Sequence, residues 1–300
     1  MPDVALPTGR VVVLAGPGVI DDGGLDGLRE LAASGNLGVA NTWGAKGVFA
    51  WDSRHHLGTC GLQERDFELL GWHDVDAILA TGIDDDESPR SRFALAPVFD
   101  IPTVDLAALA GRVVASGSPP ENVLYARLAA IARPGYTSEQ VPLHPARAVA
   151  DLGAVLPPGG VLAADPGLAG LWVARTFPTP ALAPGQPRRV VVPARREPGL
   201  AVRLAVDAAK TGRPAIAVTD GPLDDATNAA IAVADHDDTP VTVVVWGARG
   251  HLRVVDEHRE RLAHAVASPR TTILEVPIAL DETTQLIEAA GDVVAWGGVS

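Results

Sequence analysis

The chain has 300 residues, 47% of them hydrophobic and 20% charged, and its formal net charge at pH 7 is −13. This length favours two domains, and the apolar content is sufficient for two buried cores. The acidic balance, with basic residues scattered along the chain, argues against nucleic acid as a partner, because such a surface repels phosphate backbones.

The cysteine content and the distribution of apolar runs indicate a compartment. Cys60 is the single cysteine, so an intramolecular disulfide is excluded and a reducing environment is favoured. The first ten residues lack the basic and apolar regions of a signal peptide. No run approaches the roughly 20 apolar residues that a membrane-spanning helix needs. We therefore expect a cytoplasmic protein without a membrane partner.

The first half alternates apolar runs with segments of helical spacing. The apolar runs predict strands at residues 10–15, 37–40, 77–81 and 102–106. Leucines at 25, 28 and 31 and an alanine at 32 predict a helix, and residues 67–72 predict a helical turn. Strands that alternate with helices indicate a parallel sheet, so we assign residues 1–112 to a first α/β domain.

Breaker residues interrupt this alternation between residues 113 and 140. Residues 116–120 and 133–136 contain serine, glycine and proline, and a short helix is predicted between them at 122–132. We interpret residues 113–140 as a linker between two domains.

The second half, residues 141–300, repeats the alternation. Helices are predicted at 145–156 and 198–210, and strands at 161–164, 190–192 and 271–276. Two further strands end near Asp220 and Gly247, with a helix-length segment between them. The last helix is predicted to begin near Asp281, with an N-cap and an acidic first turn. The predicted fold class is α/β, with two open parallel-sheet domains.

An ordered series of segments in the first half resembles a known family. The segments are VVVLAGPGVI, ANTWGAKGVFAWDSRHHLGTCGLQ and DAILATGIDDDESP. They are similar to the central domain of acetolactate synthase-like thiamine diphosphate (ThDP) enzymes, and the matching positions are Gly44, Lys46, Gly47, Leu57, Gly58, Gly82, Asp84 and Asp85. The resemblance implies a Rossmann-like central domain.

The second half resembles the C-terminal, diphosphate-binding domain of the same family. The similarity begins with LHPARAVADLGAVLPPGGVLAADPGLAGLWVARTF and ends with TTILEVPIALDE. Members of the family also begin with a pyrimidine-binding domain, which supplies the glutamate that activates the cofactor. The chain has no room for that domain, so the resemblance implies a separate partner chain if the protein is active.

The resemblance also implies a degenerate ThDP crevice. The family carries G-D-G followed, after an interval, by N-N, and the Asp and the second Asn ligate Mg²⁺, a cation that prefers oxygen ligands. Here Thr219-Asp220-Gly221 and Trp246-Gly247 occupy these positions, so Asp220 is the one remaining metal ligand. With Asp165 and Gly167, the candidate cofactor-binding residues are Asp220, Gly221, Gly247, Asp165 and Gly167. We expect no catalytic residue, and ThDP with Mg²⁺ only when a partner chain is present.

Other motifs carry weaker hypotheses. Gly16-Pro17-Gly18 could hold a nucleotide phosphate, but Pro17 removes an amide donor and a plain turn is favoured. The acidic run 84–87 and the pair His55-His56 are each interpreted as exposed loops rather than metal sites. Cys60 is interpreted as a small buried residue.

Arginines and tryptophans near the predicted strands have two interpretations each. The pairs 188–189 and 195–196 could contact an acidic partner or an anion, although solvated flanks are favoured. Tryptophans at 43, 51, 172 and 246 are predicted to fill space that a cofactor occupies in active relatives.

Three functions remain open at this point. The first is a non-catalytic relative that acts as a partner or degenerate subunit, and as a homo-oligomer. The second is one subunit of a split carboligase or decarboxylase that acts on 2-oxo acids with a separate pyrimidine-domain chain. The third is a protein that binds a small ligand or nucleotide.

Overall fold

The computed structural model describes residues 6–116, 122–247 and 249–298, which form two compact units. The first comprises Met1–Arg127, Thr179–Arg188 and Ala290–Ala295. The second comprises Leu128–Pro178, Arg189–Ala289 and Trp296–Ser300. The division falls inside the segment 113–140, and two short later segments group with the first unit. No helix in the described ranges is long and apolar enough to cross a membrane.

The first unit contains a five-stranded parallel sheet with the strand order β3-β2-β1-β4-β5. The central strand β1 is buried along its whole length, as expected for a strand covered on both faces. The elements are β1 Val11–Ala15, α1 Gly18–Asp21, α2 Leu25–Gly35, β2 Gly38–Thr42, β3 His56–Cys60, α3 Asp66–Leu69, β4 Ala77–Thr81, α4 Arg90–Phe93, β5 Val98–Asp100 and α5 Leu106–Leu109.

Helix α2 packs through the leucines that its spacing predicts. Leu25, Leu28 and Leu31 are each at most 1% exposed within the core of the first unit. Arg29, on the same helix, donates from Nε to the carbonyl of Val48 (2.9 Å) and from Nη2 to those of Gly47 (3.3 Å) and Leu182 (2.7 Å). This arginine joins α2 to two loops of the unit.

Helix α6 (Val123–Tyr136) spans the boundary between the two units. It includes residues 133–136, so the prediction that these residues break the chain is wrong. Pro134 lies inside this helix, in its last turn, and supplies no backbone donor there. Of the predicted breaker at 116–120, residues 117–120 lie outside the described residues.

The second unit contains another five-stranded parallel sheet, with the order β10-β9-β8-β6-β7. Its order reverses between β6 and β8. The elements are α7 Pro145–Val155, β6 Val161–Ala164, α8 Leu168–Thr176, β7 Val190–Val191, α9 Leu200–Lys210, β8 Ala215–Asp220, α10 Asp225–His236, β9 Thr242–Gly247, α11 Asp256–Val266, β10 Thr272–Pro277 and α12 Thr283–Ala290. The predicted α/β class with two parallel sheets is confirmed.

Three local predictions are wrong. Residues 102–106 do not form a strand: the fifth strand is Val98–Asp100, and a 3₁₀ turn over Thr103–Asp105 follows Pro102, which has no donor for a sheet. His56 begins β3 rather than lying in an exposed loop. The last helix begins at Thr283, after a 3₁₀ turn over Leu280–Glu282, so the acidic residues precede its first turn.

Candidate functional site

The candidate site lies where the strand order of the second sheet reverses. In open parallel sheets, ligands bind outside the carboxyl ends of the strands at such a reversal. Asp165 follows β6 and Asp220 ends β8, and these strands are neighbours. The amide of Asp165 donates to the carbonyl of Val218 (2.9 Å). The structure therefore brings together Asp165, Gly167 and Asp220.

Asp220 caps a helix that begins 52 residues before it. Its Oδ2 accepts hydrogen bonds from the amides of Leu168 (2.7 Å) and Ala169 (3.2 Å), at the start of α8. The N-cap residue of α8, Gly167, has no side chain to perform this role. Free amides and the positive end of the helix dipole make a helix N-terminus a binding place for anions. Here a carboxylate of the protein itself occupies that place.

Gly167 is required by this contact. A Cβ atom added at Gly167 would lie 2.7 Å from Oδ2 of Asp220, closer than carbon and oxygen can approach without a shift. The glycine of the Asp-Pro-Gly turn thus allows Asp220 to reach the amides of α8.

Asp165 and Asp224 cap two further helices. Oδ1 of Asp165 accepts from the amide of Ala201 (3.0 Å) in α9, and Oδ1 of Asp224 accepts from that of Thr227 (2.7 Å) in α10. Burial raises the pKa of Asp165; the hydrogen bonds from Ala201 and Thr219 oppose this rise only in part. The amide of Thr227 holds the pKa of Asp224 below its usual range. Three carboxyl groups of this region therefore serve helix N-termini.

The two remaining candidate residues, Gly221 and Gly247, have open space beside their backbones. A Cβ atom at Gly221 or Gly247 would meet nothing within 4 Å. Gly221 has a φ of +79°, which favours glycine. Gly247 offers no side chain to a cation, and its carbonyl already accepts one hydrogen bond, from the amide of Ile278 (3.0 Å).

The described residues contain no group of three or more His, Cys, Asp or Glu side chains that could hold a metal ion. Trp246, beside Asp220 in the sheet register, is fully buried. Trp43 and Trp172 are also fully buried, whereas Trp51 is 50% exposed. Three of the four tryptophans therefore fill interior space and Trp51 does not.

In the first unit, the Gly16-Pro17-Gly18 turn contacts the loop that follows β4. The amide of Gly16 donates to the carbonyl of Thr81, and that of Gly18 to the carbonyl of Gly82, both at 2.9 Å. A Cβ atom at Gly16 would lie 2.2 Å from the carbonyl oxygen of Gly82. The close approach of two loops explains why glycine occupies positions 16 and 18. The amides of both glycines already donate to carbonyls, so they are not free to bind a phosphate.

Glu87 is a buried carboxyl group that the sequence interpretation missed. It closes the acidic run 84–87, interpreted as an exposed loop, yet it is 3% exposed, whereas Asp85 and Asp86 are exposed. Its Oε2 accepts from the amide of Gly44 (3.1 Å). Burial raises the pKa of Glu87 to about 7. The expectation that the run is exposed to solvent is therefore wrong for Glu87.

The remaining candidates have local explanations. Cys60 is fully buried, as predicted. Burial, followed by the charge of Lys46, lowers the pKa of His56 to about 4. Arg188 pairs with Asp21 (2.9 Å), and Arg189 donates to the carbonyls of residues 156 and 157. These arginines have partners within the chain.

Comparison with known proteins identifies the first unit. Its sheet and turns define a Rossmann-like α/β domain, and residues 8–100 match the family described as thiamine pyrophosphate enzyme, central domain. Residues 8–100 are therefore similar to the central domain of thiamine diphosphate-dependent enzymes. No curated protein matches the chain.

Proposed function

We propose that the chain is an acetolactate synthase-like homologue that is not catalytic on its own and acts as a partner or degenerate subunit. The observation that carries this proposal is the position of the Asp220 carboxylate on the amides of Leu168 and Ala169. A diphosphate at the start of α8 would have to displace it.

The charges and donors of the crevice do not fit Mg²⁺-bound ThDP. Carboxyl groups at Asp165, Asp220 and Asp224 repel a diphosphate, and a bridging cation would need several oxygen ligands. Oδ2 of Asp220 is engaged by two amides, and Gly247 supplies no side chain. We therefore propose that the isolated chain binds neither ThDP nor Mg²⁺.

Isothermal titration of the full chain with ThDP in the presence of Mg²⁺ tests this proposal. We expect no saturable heat beyond that of dilution, and Mg²⁺ alone is the control. Saturable binding in the micromolar range would contradict the proposal.

A second candidate is supported by the open space beside Gly221 and Gly247. In this case the chain is a subunit of a split carboligase or decarboxylase for 2-oxo acids, and another chain supplies the pyrimidine-binding domain. The same titration with such a chain present distinguishes the two candidates: ThDP would bind to the mixture and to neither chain alone. Nucleotide binding in the first unit is not favoured, because the amides of Gly16 and Gly18 are already engaged.

The proposal also covers the oligomeric state of the protein and the compartment in which it lies. We expect a cytoplasmic homo-oligomer that binds neither nucleic acid nor membranes. The net charge of −13 supports the exclusion of nucleic acid. Light scattering measures the assembly directly, and a strictly monomeric profile would contradict it.

A further inference from the structure

His144 precedes helix α7 in the second unit, and its backbone is fixed by a neighbouring strand. Leu143, the residue before it, donates from its amide to the carbonyl of Pro277 (2.9 Å) and accepts from the amide of Ala279 (2.8 Å). These two bonds attach the chain to the end of β10. His144 then has extended backbone angles (φ −62°, ψ 132°), and Pro145 opens the helix. The chain therefore enters α7 in a fixed direction.

The imidazole of His144 caps the helix that it precedes. Its Nδ1 accepts a hydrogen bond from the amide of Ala146, with 3.1 Å between the two nitrogens. Serine, threonine, aspartate and asparagine usually perform this role, and they use an oxygen. An imidazole nitrogen accepts only while it carries no proton, so the ring in this position is neutral and its proton is on Nε2. The cap therefore exists in one protonation state and one tautomer.

The ring of His144 is packed between two helices and is 7% exposed. It makes an edge contact with Trp172 of α8, with 5.4 Å between the ring centroids. On α6, a Cβ atom added at Gly135 would lie 2.4 Å from Cε1 and 2.5 Å from Nδ1 of the ring. Glycine at position 135 thus leaves room for the ring in the place where it caps α7. Neither of these two contacts brings a charge to the imidazole.

Two opposing influences act on the charge of the His144 ring. Burial is the larger, and it lowers the pKa of His144 below its usual value, while the charge of Glu282 opposes this decrease. Glu282 lies in the 3₁₀ turn that precedes α12. Arg147, one turn further along α7, pairs with the carboxylates of Asp151 and Asp256. The fold therefore favours the neutral ring that the cap requires.

We propose that His144 is a pH-sensitive cap, which releases the first turn of α7 when the surroundings become acidic. A proton added at Nδ1 turns the acceptor into a donor, which then faces the donor N–H of Ala146. Both groups lose their partner, and the charge of the protonated ring is attracted by Glu282. The cap is complete above the ordinary histidine pKa of 6.5 and is lost as the pH falls through the lower pKa of the folded state. Because Leu143 stays paired with the end of β10, the opening is local.

Long-range ¹H–¹⁵N spectra of the histidine side chains in the full chain, recorded from pH 8 to pH 5, test the tautomer. At pH 8 we expect Nε2 of His144 to carry the proton and Nδ1 to carry none, and we expect the ring to gain its second proton below pH 6.5. The variant His144→Asn identifies the signals by their loss. A neutral ring with its proton on Nδ1 would overturn the proposal, because that nitrogen could not accept the amide of Ala146.

Hydrogen exchange of the Ala146 amide measures the cap itself. We expect its protection factor, corrected for the pH dependence of intrinsic exchange, to fall about fivefold between pH 7.5 and pH 5, which is the effect of losing a typical cap. His144→Asn is the matched control: asparagine is a preferred cap that does not titrate in this range, so its protection should stay constant. Glu282→Gln removes the charge that favours the protonated ring, so the fall should occur at lower pH.

Three outcomes of the exchange experiment would overturn the proposal. The first is a wild-type protection factor at Ala146 that does not change with pH. The second is an equal fall in His144→Asn, which would show that another group titrates. The third is a midpoint in Glu282→Gln that stays in place or moves to higher pH.

Discussion

At the scale of single residues, Asp220 is the side chain on which the interpretation of the crevice depends. Its carboxylate satisfies two amides of α8 and faces the positive end of the helix dipole. We predict that Asp220→Ala lowers the free energy of unfolding by about 1–2 kcal/mol, the usual cost of a lost cap. Asp220→Asn, which retains an acceptor, should lose less.

Urea unfolding of the variants followed by circular dichroism measures this loss. Asp235→Asn is a suitable control, because Asp235 is exposed on α10 and its side chain caps no helix N-terminus among the described elements. Equal stability of Asp220→Ala and the wild type would show that the hydrogen bonds to Leu168 and Ala169 contribute nothing to the fold.

At the scale of elements, helix α2 depends on Arg29 as well as on its apolar face. The guanidinium donates to three carbonyls, those of Gly47, Val48 and Leu182. We predict that Arg29→Met, which keeps the aliphatic stem, lowers the free energy of unfolding of the first unit by about 2 kcal/mol, since charged donors to buried acceptors are costly to remove. Arg112→Met, at an exposed arginine, is the control, and a loss no larger than in this control would contradict the prediction.

Elements were more predictable than sites, for a physical reason. Local runs of apolar residues indicate strands such as β1 and β4, and leucines at helical spacing indicate α2. The roles of Asp220 and Glu87 depend on partners 52 and 43 residues away. Only the folded chain brings those partners together, so the sequence could not indicate which helix Asp220 caps.

At the scale of the whole molecule, Glu87 and His56 of the first unit give its stability opposite dependences on pH. Glu87 has a pKa of about 7 in the fold, above the ordinary 4.5. The folded state thus retains a proton that the unfolded state releases, and stability falls as pH rises from 4.5 to 7. His56 has a pKa of about 4, below the ordinary 6.5, so stability falls as pH drops from 6.5 to 4. Each effect is on the order of 3 kcal/mol.

The two contributions cancel between about pH 4.5 and 6.5. We predict that Glu87→Gln removes the loss at higher pH and makes the first unit more stable than the wild type at pH 8. His56→Gln should instead steepen the fall in stability between pH 5 and 7. Pulse-labelling hydrogen exchange of β1 along a urea series, at pH 5 and 8, measures both. Parallel pH profiles for the wild type and both variants would refute the assignment.

The Asp220 carboxylate competes with anions from solution for the amides at the start of α8. A carboxylate fixed to the neighbouring strand is an intramolecular ligand, and its effective concentration at the α8 amides exceeds that of any free anion at millimolar level. Phosphate, pyrophosphate and a cofactor's diphosphate would each have to displace the Asp220 carboxylate from these amides. Gly167 maintains this competition, since any larger residue there would push the carboxylate away from the amides. We therefore expect anions from solution to bind only weakly at the start of α8.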